Sequence, residues 1–267
     1  MTPNYDTLIV VPCYNEANRL PSNAFQQFAN THPQYHFLFV NDGSTDHTLS
    51  HLQTLAQSNP DQLALLTLPK NKGKAIAVQQ GFQNAQAKPY QYIGFWDADL
   101  ATPLDQLPLL REKFDERKQL KMVFGSRVNL LGRKIHRTFF RHYLGRIFAT
   151  AASITLGLPI YDTQCGAKLF KADLTLQKIF KDPFISKWCF DVEILARYLT
   201  IIRNPNKNLG PIDPTDHIFE FPLHAWQDVK GSKMRWYDFF KGPYQLFKIS
   251  RTYKKIKIRS GYRDPQK

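Results

Sequence analysis

The chain is short of everything that would make it disulfide-held or membrane-spanning. Only three of its 267 residues are cysteine. Cys13, Cys165 and Cys189 are odd in number and far apart, so they build neither a disulfide framework nor a zinc knuckle. No stretch approaches the roughly 20 apolar residues that span a bilayer. Met1 to Thr7 carry no basic start and no apolar run of signal-peptide length, which predicts a cytoplasmic protein. Internal repeats and low-complexity segments are absent. Acidic residues are also scarce, 22 against 36 Lys and Arg, leaving a net charge of +14. That surplus implies an anionic partner: a nucleotide, a phospholipid surface or a nucleic acid. It is uneven, with nine Lys or Arg and only Asp264 opposing them between Lys241 and Lys267.

What is present is enough for one large α/β domain, or one domain with an appendage. Apolar runs at residues 8–12, 37–40, 63–68, 93–96 and 122–124 read as strands. Between them, residues 23–30, 45–56, 74–85 and 104–116 read as helices. Strands alternating with helices of this length predict βαβ units and a mostly parallel sheet, with ligands at the carboxyl ends of the strands. The second half is less regular. Helices are expected at 138–156, 174–180 and 191–199, strands at 167–170 and 218–222, and a Pro-, Asn- and Gly-rich loop at 204–216. A basic, aromatic helix is expected from about Trp236. The domain boundary is placed between residues 1–234 and the extension 235–267.

The unusual residues fall at the strand ends. Residues 92–99 read Tyr-Ile-Gly-Phe-Trp-Asp-Ala-Asp. In extended backbone Asp97 and Asp99 share a face. Carboxylates that close raise one another's pKa unless a cation joins them. A hard divalent ion accepts one or two such groups and fills its other positions with water and phosphate. The competing reading is a solvated turn before a helix capped by Thr102-Pro103. Asp42-Gly43 reads as a tight turn followed by Ser44 or Thr45 as helix caps. Alternatively, Asp42 accepts the imide N–H of a uracil that stacks on Tyr14. Asn71-Lys72-Gly73-Lys74 is either an ordinary loop or a place where backbone and lysine meet phosphate; it lacks the glycine spacing of a Walker loop.

Taken in order, Val-Pro-Cys-Tyr-Asn-Glu (11–16), Asn-Asp-Gly-Ser-Thr-Asp (41–46), Asn-Lys-Gly-Lys (71–74), Asp-Ala-Asp-Leu-Ala-Thr-Pro (97–103) and Gly-Ser-Arg (125–127) resemble glycosyltransferase family 2. Asp-Thr-Gln-Cys-Gly-Ala-Lys-Leu-Phe (162–170), Trp-Cys-Phe-Asp-Val-Glu (188–193) and the segment 226–233 resemble its dolichyl-phosphate β-glucosyltransferase branch. The resemblance runs from about Thr7 to Met234. It implies a single GT-A (Rossmann-like) α/β domain with a mostly parallel central sheet flanked by helices, to which the basic, aromatic tail beyond the resemblance adds a C-terminal amphipathic helix. It implies an inverting enzyme that moves a hexose, glucose above all, from a UDP-sugar to a polyprenyl phosphate. By position, Asp42 would recognise uracil, with Pro12, Tyr14 and Glu16 lining the base and ribose pocket. Asp97 would face the ribose or sugar, Asp99 would ligate Mg²⁺ or Mn²⁺, and Lys74 and Arg127 would contact anions. Arg137, Arg141 and Lys233 are the expected contacts of the acceptor phosphate. One departure stands out. Related mannosyltransferases carry Gln two residues past the second Asp, whereas Ala101 stands here and cannot ligate.

The acceptor decides whether a base is needed. A phosphate monoester, with a second pKa near 6, is already nucleophilic at neutral pH; a sugar hydroxyl needs a general base. Asp191 and Glu193 are the candidates. On the expected helix they point apart, with Asp191 towards the site and Glu193 on a solvated face. Residues 139–151 show helical apolar spacing behind Arg137 and Arg141, which suits either a helix docked on the core or one lying in a lipid interface. The basic aromatic tail suits peripheral contact with an anionic membrane, at its cytoplasmic face, or packing back on the domain. Transfer to a saccharide hydroxyl is the alternative activity. A basic nucleic-acid-binding protein is the remote one, for which no recognition motif speaks, so no nucleic acid is expected.

Overall fold

A computed structural model describes residues 6–85, 89–136, 139–203, 213–229 and 238–253. Seven strands form the central sheet: β1 (Thr7–Cys13), β2 (Tyr35–Asp42), β3 (Leu63–Leu68), β4 (Tyr92–Trp96), β5 (Met122–Ser126), β7 (Ala167–Lys171) and β8 (Ile218–Pro222). A separate two-stranded sheet pairs β6 (Lys134–His136) with β9 (Ala225–Gln227). The helices are α1 (Ser22–Thr31), α2 (Thr48–Ser58), α3 (Lys74–Ala85), α4 (Gln106–Glu116), α5 (Phe139–Leu156), α6 (Leu174–Lys181), α7 (Phe190–Arg203) and α8 (Asp238–Thr252).

The strand order is β3-β2-β1-β4-β7-β5-β8. Only β7 runs against its neighbours, pairing antiparallel with both β4 and β5. The remaining strands are parallel, so the alternation read from the sequence gives the mostly parallel sheet it predicts. Strands covered by helices on both faces need apolar residues at every position. Accordingly Leu8 and Val10 of β1 point into one core layer, and Ile9 and Val11 into the other. Helix α3 fills the first layer with Ala77, Val78 and Phe82, joined by α6, α7 and parts of α5 and α8. Phe25 of α1, Leu52 of α2 and Leu107 of α4 fill the second.

Several expectations need correction. Helix α2 starts at Thr48, not at residue 45. Ser44 and Thr45 do not cap it: Ser44 Oγ accepts from the Asn15 N–H, and the Thr45 N–H donates to Asn15 Oδ1. Nor does Thr102 cap the next helix, since α4 starts at Gln106 and the Thr102 carbonyl accepts from the Trp96 indole at 2.7 Å. Glu193 is on no solvated face. It is fully buried, with Arg197 Nη2 at 2.7 Å and the N–H groups of Ile185 and Ser186 on its carboxylate. Part of the expected 204–216 loop lies outside the described residues; its end forms a 3₁₀ turn, Pro214–Asp216.

Helix α8 packs on α5 and α7, burying Leu246 and Ile249. A Cβ on Gly242 would stand 2.9 Å from the Trp188 ring, so this contact needs a glycine. Gln245 Oε1 accepts from the N–H groups of Trp188 (3.2 Å) and Cys189 (3.1 Å) and from the Ser186 hydroxyl, closing the start of α7. The opposite side of α8 exposes Tyr244 and Phe247. Among the described residues, no helix is long and apolar enough to cross a membrane.

Candidate active site

The carboxyl ends of β1, β2, β4 and β5, with the loop entering β7, surround a cavity of about 580 Å³. A pocket of that size suits a drug-sized or nucleotide-sized ligand. Pro12, Tyr14, Glu16, Asp42, Lys74, Asp97, Asp99, Arg127 and Asp191 all line it. Nine residues expected to act together, drawn from six separate segments, are therefore gathered in one place. Arg137, Lys233 and the side chain of Arg141 lie outside the described residues.

Asp42, at the end of β2, is buried and accepts from the N–H groups of Lys72 and Gly73, both at 2.8 Å. It thereby ties down the loop that leads into Lys74. Burial raises its pKa and the two backbone bonds oppose that shift. Gly43, which follows, has φ +62° and no room for a Cβ against the Lys70 backbone, which is why the turn demands glycine.

Asp97 pairs with Lys74 Nζ at 2.5 Å. Burial would raise its pKa, but Lys74, with Lys168 and Arg127 behind it, more than reverses that and holds it below the usual carboxylate range. The Asp97 N–H donates to the Gly166 carbonyl at 3.1 Å. A Cβ on Gly166 would stand 1.8 Å from Asp97 Oδ2, so the residue just before β7 must be glycine for this carboxylate to lie where it does.

Asp99 lies within a sharp turn, closed by the Leu100 N–H on the Asp97 carbonyl, in which Leu100 adopts φ +48°, an uncommon value for a residue with a side chain. Its Oδ1 accepts from the Ala101 N–H at 3.1 Å. Its Oδ2 meets the guanidinium of Arg19, a residue the motif reading passed over. Burial and the neighbouring Asp97 raise the pKa of Asp99, and Arg19 and Lys74 only partly offset them. Asp99 is thus the carboxylate of the pair for which ionisation is costly, and a cation beside it relieves that cost. Among the described residues no three His, Cys, Asp or Glu side chains cluster to hold a metal unaided. The donor set matches a hard ion held by one or two carboxylates and completed by phosphate and water, and the guanidinium already shows a cation settling on Asp99.

The opposite wall is equally tied. Arg127 clamps Asp162 in two parallel bonds, 2.6 Å from Nε to Oδ2 and 2.8 Å from Nη2 to Oδ1. Glu220 of β8 accepts from the N–H groups of Tyr161 and Asp162, both at 2.8 Å, and so fixes the loop that carries the clamp. Lys168 of β7 is almost wholly buried, donates to the carbonyls of Thr163 and Cys165, and sits 2.6 Å from Asp191. Arg19, Asp162, Lys168 and Glu220 are the site residues that sequence reasoning missed. Asp162 and Lys168 stood inside a motif already quoted, whereas nothing in the sequence links Arg19 to Asp99, 80 positions away.

The chain matches the profile "Glycosyl transferase family 2" over residues 8–176. It is 30% identical over 264 residues to a dolichyl-phosphate beta-glucosyltransferase of Trichomonas vaginalis, covering 94% of this chain and 75% of that one. Its identity to the dolichyl-phosphate beta-glucosyltransferase of Drosophila melanogaster is 34% over 215 residues, covering 73% and 63%. The chain thus spans roughly three fifths to three quarters of these relatives. Glucosyl-3-phosphoglycerate synthase of Mycobacterium tuberculosis, solved with Mn²⁺, UDP-glucose and phosphoglyceric acid, shares the fold at a TM-score of 0.64 and 14% identity, over 96% of this chain and 82% of that one. The chain belongs to glycosyltransferase family 2, in its dolichyl-phosphate β-glucosyltransferase-like branch, and is a glycosyltransferase of GT-A fold.

Proposed function

We propose that this enzyme transfers glucose, with inversion, from UDP-glucose to a polyprenyl phosphate at an anionic membrane surface, working peripherally from the cytoplasmic face. The observation that carries this reading is the double duty of α5. Gly145, Arg146, Phe148 and Ala149 line the cavity, while Tyr143, Ile147 and Ile154 of the same helix are exposed. A helix that borders a charged cavity and presents apolar side chains outward is suited to a substrate with a phosphate head and a lipid tail. The relatives' names, dolichyl-phosphate beta-glucosyltransferases, support the same acceptor, and the synthase solved with UDP-glucose and Mn²⁺ supports the donor and the ion.

The residues have distinct work. Pro12 and Tyr14 bound the base subsite. Each Asp42 oxygen, already accepting one backbone bond, keeps a lone pair for the uracil imide. Transfer passes through an oxocarbenium-like state while negative charge grows on the departing diphosphate. A divalent ion held by Asp99, when bound, acts as a Lewis acid towards that charge. Lys74 is held at the cavity by Asp97, and Arg127 by Asp162, so both cations are fixed before the reaction begins. Asp191 faces the cavity from the first turn of α7 but is already neutralised by Lys168. With its carboxylate engaged by the buried Lys168, Asp191 has a structural partner already, and a phosphate acceptor requires no general base. This favours the lipid phosphate over a saccharide hydroxyl.

The test is transfer from radiolabelled UDP-glucose with Mn²⁺ or Mg²⁺ to a short polyprenyl phosphate, against free sugars, with Asp99→Ala as control. Lipid-linked product that vanishes in the variant is the expected result. Product on sugar hydroxyls alone, or undiminished turnover by the variant, would overturn the reading.

A further inference from the structure

We infer that Arg19 is a catalytic residue of donor binding: its guanidinium neutralises Asp99 in the nucleotide-free protein and moves onto the diphosphate when Asp99 takes up a divalent ion. The inference rests on the assignment of Asp99 as the metal ligand made above.

The backbone around Arg19 is rigid. The Arg19 and Leu20 N–H groups close a turn on the Glu16 carbonyl at 2.9 and 2.8 Å. The Glu16 N–H donates to Thr48 Oγ1 at 2.7 Å and the Ala17 N–H to Asp46 Oδ2 at 3.2 Å. Asn15, at φ +49°, is stitched to Ser44 and Thr45. The segment after β1 is thereby sewn to the segment after β2, and the side chain of Arg19 projects from this platform onto the cavity lining. Its reach covers two acids, Asp99 through Nη2 and Glu16 through Nη1 at 3.5 Å. Its side chain is 15% exposed and that of Asp99 is 18% exposed, so neither is sealed off from an incoming ligand.

The charges balance in both states. Without ligand, Lys74 answers Asp97 and Arg19 answers Asp99. A divalent ion and a sugar diphosphate enter with cancelling charges, so their arrival leaves the same balance. What changes is the pairing. A guanidinium and a divalent ion repel one another across a shared carboxylate, so Asp99 exchanges one for the other. The released guanidinium is a planar fork that matches two phosphate oxygens, a geometry that a lysine does not offer. Arg19 therefore opposes the ion before the nucleotide arrives and supports the nucleotide afterwards.

These roles give effects of opposite sign, which a merely structural residue would not produce. The experiment measures Mn²⁺ binding without nucleotide by electron paramagnetic resonance, and UDP binding in saturating Mn²⁺ by calorimetry, in the full chain. Arg19→Gln should bind Mn²⁺ alone several-fold more tightly and UDP about tenfold more weakly. Arg19→Lys keeps the charge, so its affinity for Mn²⁺ alone should stay near wild type while its UDP affinity falls. Parallel losses of both ligands in a variant whose melting matches wild type, or no change in either, would overturn the inference. Asp99→Ala separates the underlying assumption: if it binds Mn²⁺ as the wild type does, the metal assignment itself fails and this inference with it. If Asp99→Ala loses Mn²⁺ while Arg19→Gln shows no opposed shifts, only the role of Arg19 falls.

Discussion

Replacing Gly166 by alanine tests the site at its tightest point. The added Cβ would stand 1.8 Å from Asp97 Oδ2, and real contacts of this kind do not fall below 3.0 Å, so the carboxylate must retreat by at least about 1.2 Å. That movement pulls it off Lys74, now 2.5 Å away. A misplacement of roughly 1 Å in a reacting constellation costs on the order of 10²-fold in rate. The obstacle is the far end of a side chain and not backbone, so folding should change by less than about 1 kcal/mol, within the range of mild substitutions. Gly94→Ala is the contrast: its Cβ would meet the Lys168 carbonyl oxygen at 2.4 Å, inside the sheet. Overpacking there should destabilise by about 1–3 kcal/mol. The assay is kcat/KM for glucosyl transfer beside urea unfolding, in Gly166→Ala, Asp97→Ala and the double variant. The alanine at 166 should cost about a hundredfold alone and little more once Asp97 is gone. A folded Gly166→Ala protein with wild-type turnover would refute the argument that Asp97 must lie where it does.

Two further outcomes follow from the packing and the buried charges. Gln245→Ala removes the acceptor that closes the start of α7 and should lower stability by about 1–2 kcal/mol, as for a lost cap, whereas Gln245→Glu should retain it; a loss equal in both variants on urea unfolding would discount the bond. His217, hydrogen-bonded to Tyr198, has its pKa pushed down by burial and by Lys121. The unfolded chain then binds its proton first, so this group stabilises the fold above the ordinary histidine pKa and that stability is lost as pH falls below about 6.5. The stability advantage of wild type over His217→Asn should shrink between pH 7.5 and 5.5, and thermal melts showing a constant difference would refute it.

Much of this was legible because its signals are local. Parallel strands covered on both faces must be continuously apolar, so β1, β2 and β4 announce themselves, and the acids that follow them fall at the ligand-binding edge by topology alone. The unread parts depend on contacts between distant segments. Arg19 sits in a loop with no periodicity, and only folding brings it to Asp99. Glu193 and Arg197 lie four apart, the spacing of a solvated helix pair, yet together they satisfy one another inside the core and accept or donate to surrounding backbone. The direction of β7 leaves no trace in a five-residue apolar strand, and β6 and β9, three residues each, are too short for an alternation to register.

The placement of β7 between β4 and β5 bears on how the enzyme comes into being. Until Ala167–Lys171 has been synthesised, the outer edge of β4 has no hydrogen-bonding neighbour, and β5 has no route into the sheet. A ribosome-bound chain ending earlier would offer that bare edge to any passing strand, the usual beginning of aggregation. The first half of the sheet is therefore no separable module: cutting the chain after β5 would leave an open seam, and only the late strand, carrying Lys168 and preceded by Gly166, zips the two halves together.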